Sequence, residues 1–269
     1  MINSISLKRV ASLALVAICL RSGRAQDGIS DALARLASSP FSQSILYSLE
    51  GQPPDPRTIP ALKSAFERDK TTEDKQWIAA TLLRLGERSS RYFDYLADRA
   101  REAIEDRTPF FIKYDNAGNP IQGQFDPGFL NWCAQNSKDP REVARIQFSV
   151  YLNDVRILAY AEDPRAVDLL RQGLESPNEL VIAYSVEGLG RLHDVTALPL
   201  IAKVFDRVKT GSWTAIAKQL CWFRLPEAER LVERFIPDPG MREFSKRQIE
   251  MLQLSEANRL TRRMGKPVQ

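Results

Sequence analysis

The sequence predicts an all-α fold: an α–α superhelix of stacked helix pairs, carrying one short β-hairpin-like insert. Three observations lead there. An apolar pattern returns every 31 residues between 163 and 236. Two segments, "DPRTIPALKSAF" at 55 to 66 and "DPRAVDLLRQGL" at 163 to 174, open with the same Asp-Pro-Arg and carry apolar residues at the same offsets. One stretch, "TPFFIKYDNAGNPIQGQFDPGF" at 108 to 129, breaks the helical pattern with aromatic runs around turn residues. With 43% apolar and 27% charged residues over 269 positions, the chain has the composition of a folded protein rather than a disordered one.

Residues 1 to 25 read as a secretory signal. Lys8 and Arg9 precede the mostly apolar run "VASLALVAICL", and small residues stand at 23 and 25, so cleavage is expected after Ala25. The apolar run is too short to span a bilayer, which takes about 20 residues, so no membrane span is expected in the mature chain. Removing the segment's four basic residues from the 38 Lys and Arg leaves 34, equal to the 34 Asp and Glu. The mature net charge is therefore zero, and the chain has no global basic footprint for nucleic acid. The expected location is secreted or periplasmic.

Residues 26 to 54 follow as N-terminal capping helices, with "SDALARLA" and "FSQSILYSLEG" as the pair. The repeats occupy 55 to 106 and 139 to 236. Asp163, Ala166, Val167, Leu169, Leu170 and Leu174 recur one step later as Asp194, Ala197, Leu198, Leu200, Ile201 and Phe205. Asp at each head can accept hydrogen bonds from the first free backbone N–H groups of a helix, and Pro suits the next position because its missing N–H has no intrahelical partner. The second half of each unit keeps the same step: Ile182, Val186, Leu189 and Gly190 match Trp213, Ala217, Leu220 and Cys221 ahead, and Tyr151, Val155, Leu158 and Ala159 behind. Spacings of four and three put them on one helical face. Leu169, Leu170, Val186, Leu189, Leu200, Ile201, Ala217 and Leu220 are the expected core. In the earlier copy, Ile78 to Gly86 match Ile182 to Gly190 after four extra residues, which fall in the turn "RDKTTED".

"DPRAVDLL", "IAYSVEGLGRLHD" and "DVTALPLI", with "DPRTIPALK" and "IAATLLRLGE" as a second partial match, resemble the HEAT-like repeats named after phycobilin lyases. The likeness covers most of 55 to 106 and 139 to 236. It implies an armadillo-like α-solenoid and the role of scaffold or binding surface. The third unit departs from the pattern, ending in "LCWFRLPEAE" without the Gly-Asp close, and 107 to 138 does not fit it.

Residues 107 to 138 form the irregular insert. "FFIKY" and "IQGQF" flank "DNAGNP", as in a hairpin, and two roles fit equally: recognition, or a packed connector over an exposed core. "DNAGN" does not make a calcium loop, since Ala117 holds the third ligand position and Asp126 the twelfth. Residues 237 to 269 read as a C-terminal capping helix and tail.

Chemistry-bearing residues are sparse. His193, the only histidine, lies in "RLHD" at a position where the neighbouring units carry Glu162 and Arg224, so it reads as a turn residue. One His and two distant Cys match no zinc spacing, and Gly188 and Gly190 lack the third glycine and strand of a dinucleotide turn. No metal and no cofactor are expected. Cys133 and Cys221 suit either a disulfide or two buried thiols.

Arg156, Glu187 and Lys218 occupy one position of successive second helices, away from the apolar set, where alternating charge suits either an inter-repeat ladder or a binding face. Tyr160, Arg191 and Trp222 form the next equivalent set, residue types favoured at interface hot spots but better suited to capping helix ends. With Tyr114 and Asn116 from the insert, these are the candidate partner-binding residues. No catalytic residue is assigned. The expected function is a scaffold binding a protein or peptide on its concave face; the alternative is a lyase- or hydrolase-like enzyme using carboxylates such as Asp154 or Glu187 between insert and second helices.

Overall fold

A computed structural model describes residues 28–37, 43–68, 71–108, 112–114, 120–125 and 127–263. The segment read as a leader and Asn116 lie outside the described residues. The described chain is mostly helical, with helices packed on one another. It divides into two compact units, one of residues 1–74 with 256–269 and one of residues 75–255. The division falls inside the repeat expected at 55 to 106.

In the first unit, α1 spans 28 to 37, α2 Gln43–Glu50 and α3 Thr58–Glu67. Leu36, Leu46, Leu62 and Ala65 are fully buried. Asp55 starts α3 as expected: its Oδ1 accepts the backbone N–H of Arg57 at 2.8 Å. The Arg57 guanidinium then folds back on the same carboxylate at 3.0 and 2.9 Å, holding Asp55 below its ordinary proton affinity. The Asp-Pro-Arg triplet is thus a closed clamp. Helix α4, Thr72–Arg84, follows with its division point at 74/75.

The second unit continues from α4 with α5 (Ser90–Glu105), strands β1 (Ile112–Tyr114) and β2 (Pro120–Phe125), α6 (Pro127–Gln135) and α7 (Pro140–Arg145). A π-helical turn, Ile146–Tyr151, joins α7 to α8 (Leu152–Ala161). Then come α9 (Val167–Gly173), α10 (Glu179–Arg191), α11 (Leu198–Val204), α12 (Trp213–Ala217), α13 (Pro226–Phe235) and α14 (Pro239–Arg263). The last helix runs on beyond Ser255 into the first unit's residues.

The 31-residue step is visible in the backbone. Glu162, His193 and Arg224 sit one step apart and all adopt left-handed φ, at 51°, 54° and 53°. Each ends a second helix, where a left-handed residue reverses the chain. The first helices also begin alike: Pro164–Ala166 and Val195–Ala197 are single 3₁₀ turns, one step apart, leading into α9 and α11. Asp163 repeats the clamp of Asp55, accepting Arg165 N at 3.0 Å and its guanidinium at 2.9 and 2.8 Å. Asp194, lacking an Arg two residues on, takes the guanidinium of Arg171 from α9, the first helix of the preceding pair, at 2.8 Å on both oxygens.

The core largely follows the repeat: Leu169, Leu170, Val186, Leu189, Ile201, Ala217 and Leu220 are buried. Leu200 is not; it is 42% exposed. In the seven-residue α11 the inward stripe is Leu198, Ile201 and Val204, and Leu200 lies about 100° round the helix from Ile201. Gly190 permits the next close approach, because a Cβ there would stand 2.7 Å from Trp222 Cβ. Two units depart from helix–turn–helix. Residues 140 to 161 form one helical run through the π turn, without a break into a pair. In the third unit α12 stops after five residues and continues as a 3₁₀ stretch, Lys218–Phe223.

Candidate functional site

Helix α10 packs against both α8 and the Lys218–Phe223 stretch, and these three segments carry the residues singled out by the repeat. The set Tyr160, Arg191 and Trp222 lies inside the molecule. Tyr160 and Trp222 are 6% and 4% exposed, and the Arg191 side chain 6%. Arg191 stacks on Trp222 with its guanidinium carbon 3.8 Å from the ring centroid and reaches Glu187 at 2.8 Å and Glu162 at 3.0 Å. Arg84 joins the same Glu162 oxygen at 2.9 Å and stacks over Tyr160 at 4.4 Å. Trp77 meets the Tyr160 ring edge-on at 5.3 Å. The result is a continuous buried spine from α4 through α8 and α10 to Trp222. Cation–π contacts and shared carboxylates carry the charge burial that an isolated guanidinium would not survive.

The set Arg156, Glu187 and Lys218 lies one turn earlier on the same side of these segments and is more open to solvent. Arg156 is exposed; Glu187 and Lys218 are half-buried. Glu187 is held by Arg191 of its own helix. Arg156 lies 5.9 Å over the Trp77 ring.

The insert is rooted at the opposite end of α10. β1 and β2 pair antiparallel, with Ile112 opposite Phe125 and Tyr114 opposite Pro120. β1 packs against Thr210–Ser212, just ahead of α12. Arg107 donates to the Glu175 carbonyl at 3.2 Å, three residues before Asn178 caps α10. Beyond β2, Phe125 tilts onto Phe129 at 5.4 Å, and Phe129, Cys133 and Leu180 close a small core with Trp132 and Leu152. The 13 residues of α10 separate this end from Arg191 by about 20 Å. The structure therefore does not bring Tyr114 together with Tyr160, Arg191 and Trp222.

Two polar clusters complete the picture, the first unmarked in the sequence and the second around Asp154, which the sequence offered without its partners. In the first, Asp106 accepts from Gln147 at 2.8 Å and from the backbone of Thr108 at 2.7 Å, while Gln147 accepts from Asn178 at 2.6 Å. The π turn carries Gln147, which bonds Asp106, and Tyr151, whose phenol is raised by burial and by the nearby Asp106 charge. The second centres on Asp154, only 2% exposed. Gln76 donates to its Oδ1. Its Oδ2 has no hydrogen bond among the described residues and lies 3.7 Å from Arg99, which is also 3.8 Å from Glu102. Burial pushes this carboxyl up to about 6, against the opposing pull of Gln76 and Arg99. Tyr95 and Tyr151 border it. The sequence offered Asp154 as a carboxylate of the enzymatic alternative, but nothing in it marked the burial or the contacts with Gln76 and Arg99.

His193 serves as a left-handed helix stop. Cys133 and Cys221 are free thiols, and burial raises Cys221 to about 11, which suppresses thiolate chemistry. Among the described residues no group of three or more His, Cys, Asp and Glu is placed to hold a metal, and no helix is long and apolar enough to cross a membrane. The chain matches no protein-family model, no curated protein and no solved structure.

Proposed function

We propose that the chain is a secreted or periplasmic scaffold, a HEAT-like α-solenoid that binds a protein or peptide on the concave face lined by its second helices. The observation that carries this reading is the matched left-handed stops at 162, 193 and 224. Equal backbone steps present equivalent side chains of successive helices on one surface, which is how repeat arrays build extended binding faces. On that surface stand Arg156, Glu187 and Lys218, while Tyr160, Arg191 and Trp222, buried one turn further along, hold the helices in register. The insert belongs to the N-terminal ends of α10 and α12 and works as a packed connector. Residues 1 to 25 are proposed to be removed on export, leaving Gln26 as the first residue.

The enzymatic alternative draws on Asp154, whose proton affinity suits acid–base work near neutral pH. Its oxygens are enclosed, one by Gln76, so a substrate has no approach to them without helix separation. The scaffold reading is preferred for that reason.

A photo-crosslinking residue placed at Arg156, at Lys218 or at the exposed Arg230 of α13 tests it in the native extracellular or periplasmic fraction. The same partner should crosslink from 156 and 218 and not from 230. Crosslinks from 230 alone, or none from any position, would overturn the assignment of the face.

A further inference from the structure

Helix α14 is turned the wrong way out for a closing helix. Between Pro239 and Ser255 its buried positions are Ser245, Ile249 and Gln253, two of them polar. Gln253 accepts from Arg224 at 2.7 Å, and Lys246 meets Glu229 of α13 at 3.5 Å. The apolar residues face water instead: Phe244, Met251 and Leu254 are 45%, 66% and 55% exposed. With exposed Arg247 they stand about 140 to 160° round the helix from Ile249. Positions 244, 247, 251 and 254 alternate steps of three and four, the spacing of a coiled-coil seam. The last unit of a repeat array keeps a polar outer face because nothing stacks on it. A helix with its apolar seam outside is built to be covered.

We propose that the seam is covered by a second copy of this chain, the two α14 helices packing antiparallel about a two-fold axis at the level of Ile249. Charge decides the direction. In a parallel pair each seam residue meets its own counterpart, so Arg247 would face Arg247. Turned antiparallel, Phe244 meets Leu254 of the other copy, and Arg247 meets Met251 with that copy's Glu250 beside it. Apolar pairs then close both ends and Arg–Glu pairs the middle, a pattern that complements itself as a two-fold contact must. Glu243 of the same helix, 2.7 Å away, already steadies Arg247, so no unpaired charge enters the interface. An anionic membrane is a poorer match, because exposed Glu243 and Glu250 line one edge of the seam. A seam about 15 Å long covers no more than about 600 Å² on each copy, the lower limit of a specific interface, so the dimer is weak and reversible.

Sedimentation equilibrium of the full chain from about 1 to about 200 μM provides the test, and should show monomer passing to dimer and nothing larger. Met251→Arg should weaken the dimer about a hundredfold, since it sets like charge against Arg247 of the other copy and symmetry counts the change twice. Met251→Glu should weaken it less, because its carboxylate meets that guanidinium. Phe244→Cys mixed with Leu254→Cys should give, under mild oxidation, a disulfide-linked pair that neither variant gives alone. Both Met251 variants should melt with the parent at dilutions where the parent is monomeric, because Met251 is exposed. A chain that stays monomeric throughout, or a dimer indifferent to Met251→Arg, would overturn the proposal. So would binding to phosphatidylglycerol vesicles that Met251→Arg preserves and Met251→Glu abolishes, since an anionic surface would then be the occupant.

Discussion

Asp154→Asn should make the protein more stable at pH 8 and leave it nearly unchanged at pH 4. Asp154 is almost wholly enclosed, with Oδ1 taking Gln76 and Oδ2 facing Arg99 at 3.7 Å, too far for a hydrogen bond. Burial lifts its carboxyl from 3.8 to about 6. Because the folded value is the higher one, the folded chain binds more protons than the unfolded chain between about pH 4 and 6, and stability falls with rising pH across that window. The contribution is fully present below about pH 4 and lost as the pH passes through 6. At 1.36 kcal/mol for each tenfold change in proton affinity, ionised Asp154 costs about 3 kcal/mol. Asparagine keeps the acceptor for Gln76 and never ionises. Urea unfolding of parent and variant from pH 4 to pH 8 provides the measurement, and other carboxylates cancel in the difference between them. The variant's advantage should grow from a few tenths to about 3 kcal/mol, with its midpoint near pH 5, between the unfolded and folded values, and be nearly complete above pH 6. A difference independent of pH, or a variant weaker at pH 8 than at pH 4, would show that Asp154 is ionised and paired with Arg99, and would refute the reasoning.

Leu189→Ala should cost about 2 to 5 kcal/mol in chemical denaturation, since Leu189 is fully buried where α10 packs in the array. Arg191→Ala should cost about 3 to 5 kcal/mol, because it leaves Glu187 and Glu162 without a shared cation and strips Trp222 of its stacking partner; the unfolding midpoint in urea checks it. His193→Gly should stabilise by up to about 1 kcal/mol in thermal melts, by relieving the left-handed conformation at φ 54°. A destabilising effect of that glycine would mean that the imidazole makes a contact worth more than the strain.

The repeat, its 31-residue step and the Asp-headed helix starts belong to the sequence, because they rest on local rules. A Pro following Asp, and a turn slot filled in succession by Glu162, His193 and Arg224, leave marks within a few residues of where they act. The inward stripes of α9 and α10 obey the same logic of one-helix periodicity. Leu200 shows the limit: its type matches Leu169, but whether its side of a short helix is covered depends on neighbours the pattern does not encode. The same holds for Tyr160, Arg191 and Trp222. Their equivalence was legible at a distance of 31 residues, whereas their burial was not, since aromatic and Arg residues suit a wet rim and a packed spine equally well until Arg84 and Glu162 arrive from other helices. Asp154 illustrates it most fully. Its proton affinity is raised by burial and pulled back by Gln76, 78 positions away, and by Arg99 from α5, and no local signal links the three. Nor did spacing reveal that the insert sits on the N-terminal ends of α10 and α12, because a hairpin leaves its helix at a point sequence marks and lands where the apolar surface of Phe129 and Leu180 is open. Local hydrogen bonding and helical period were written along the chain; which charged groups lost their water, and which kept it, was decided only when the helices closed on one another.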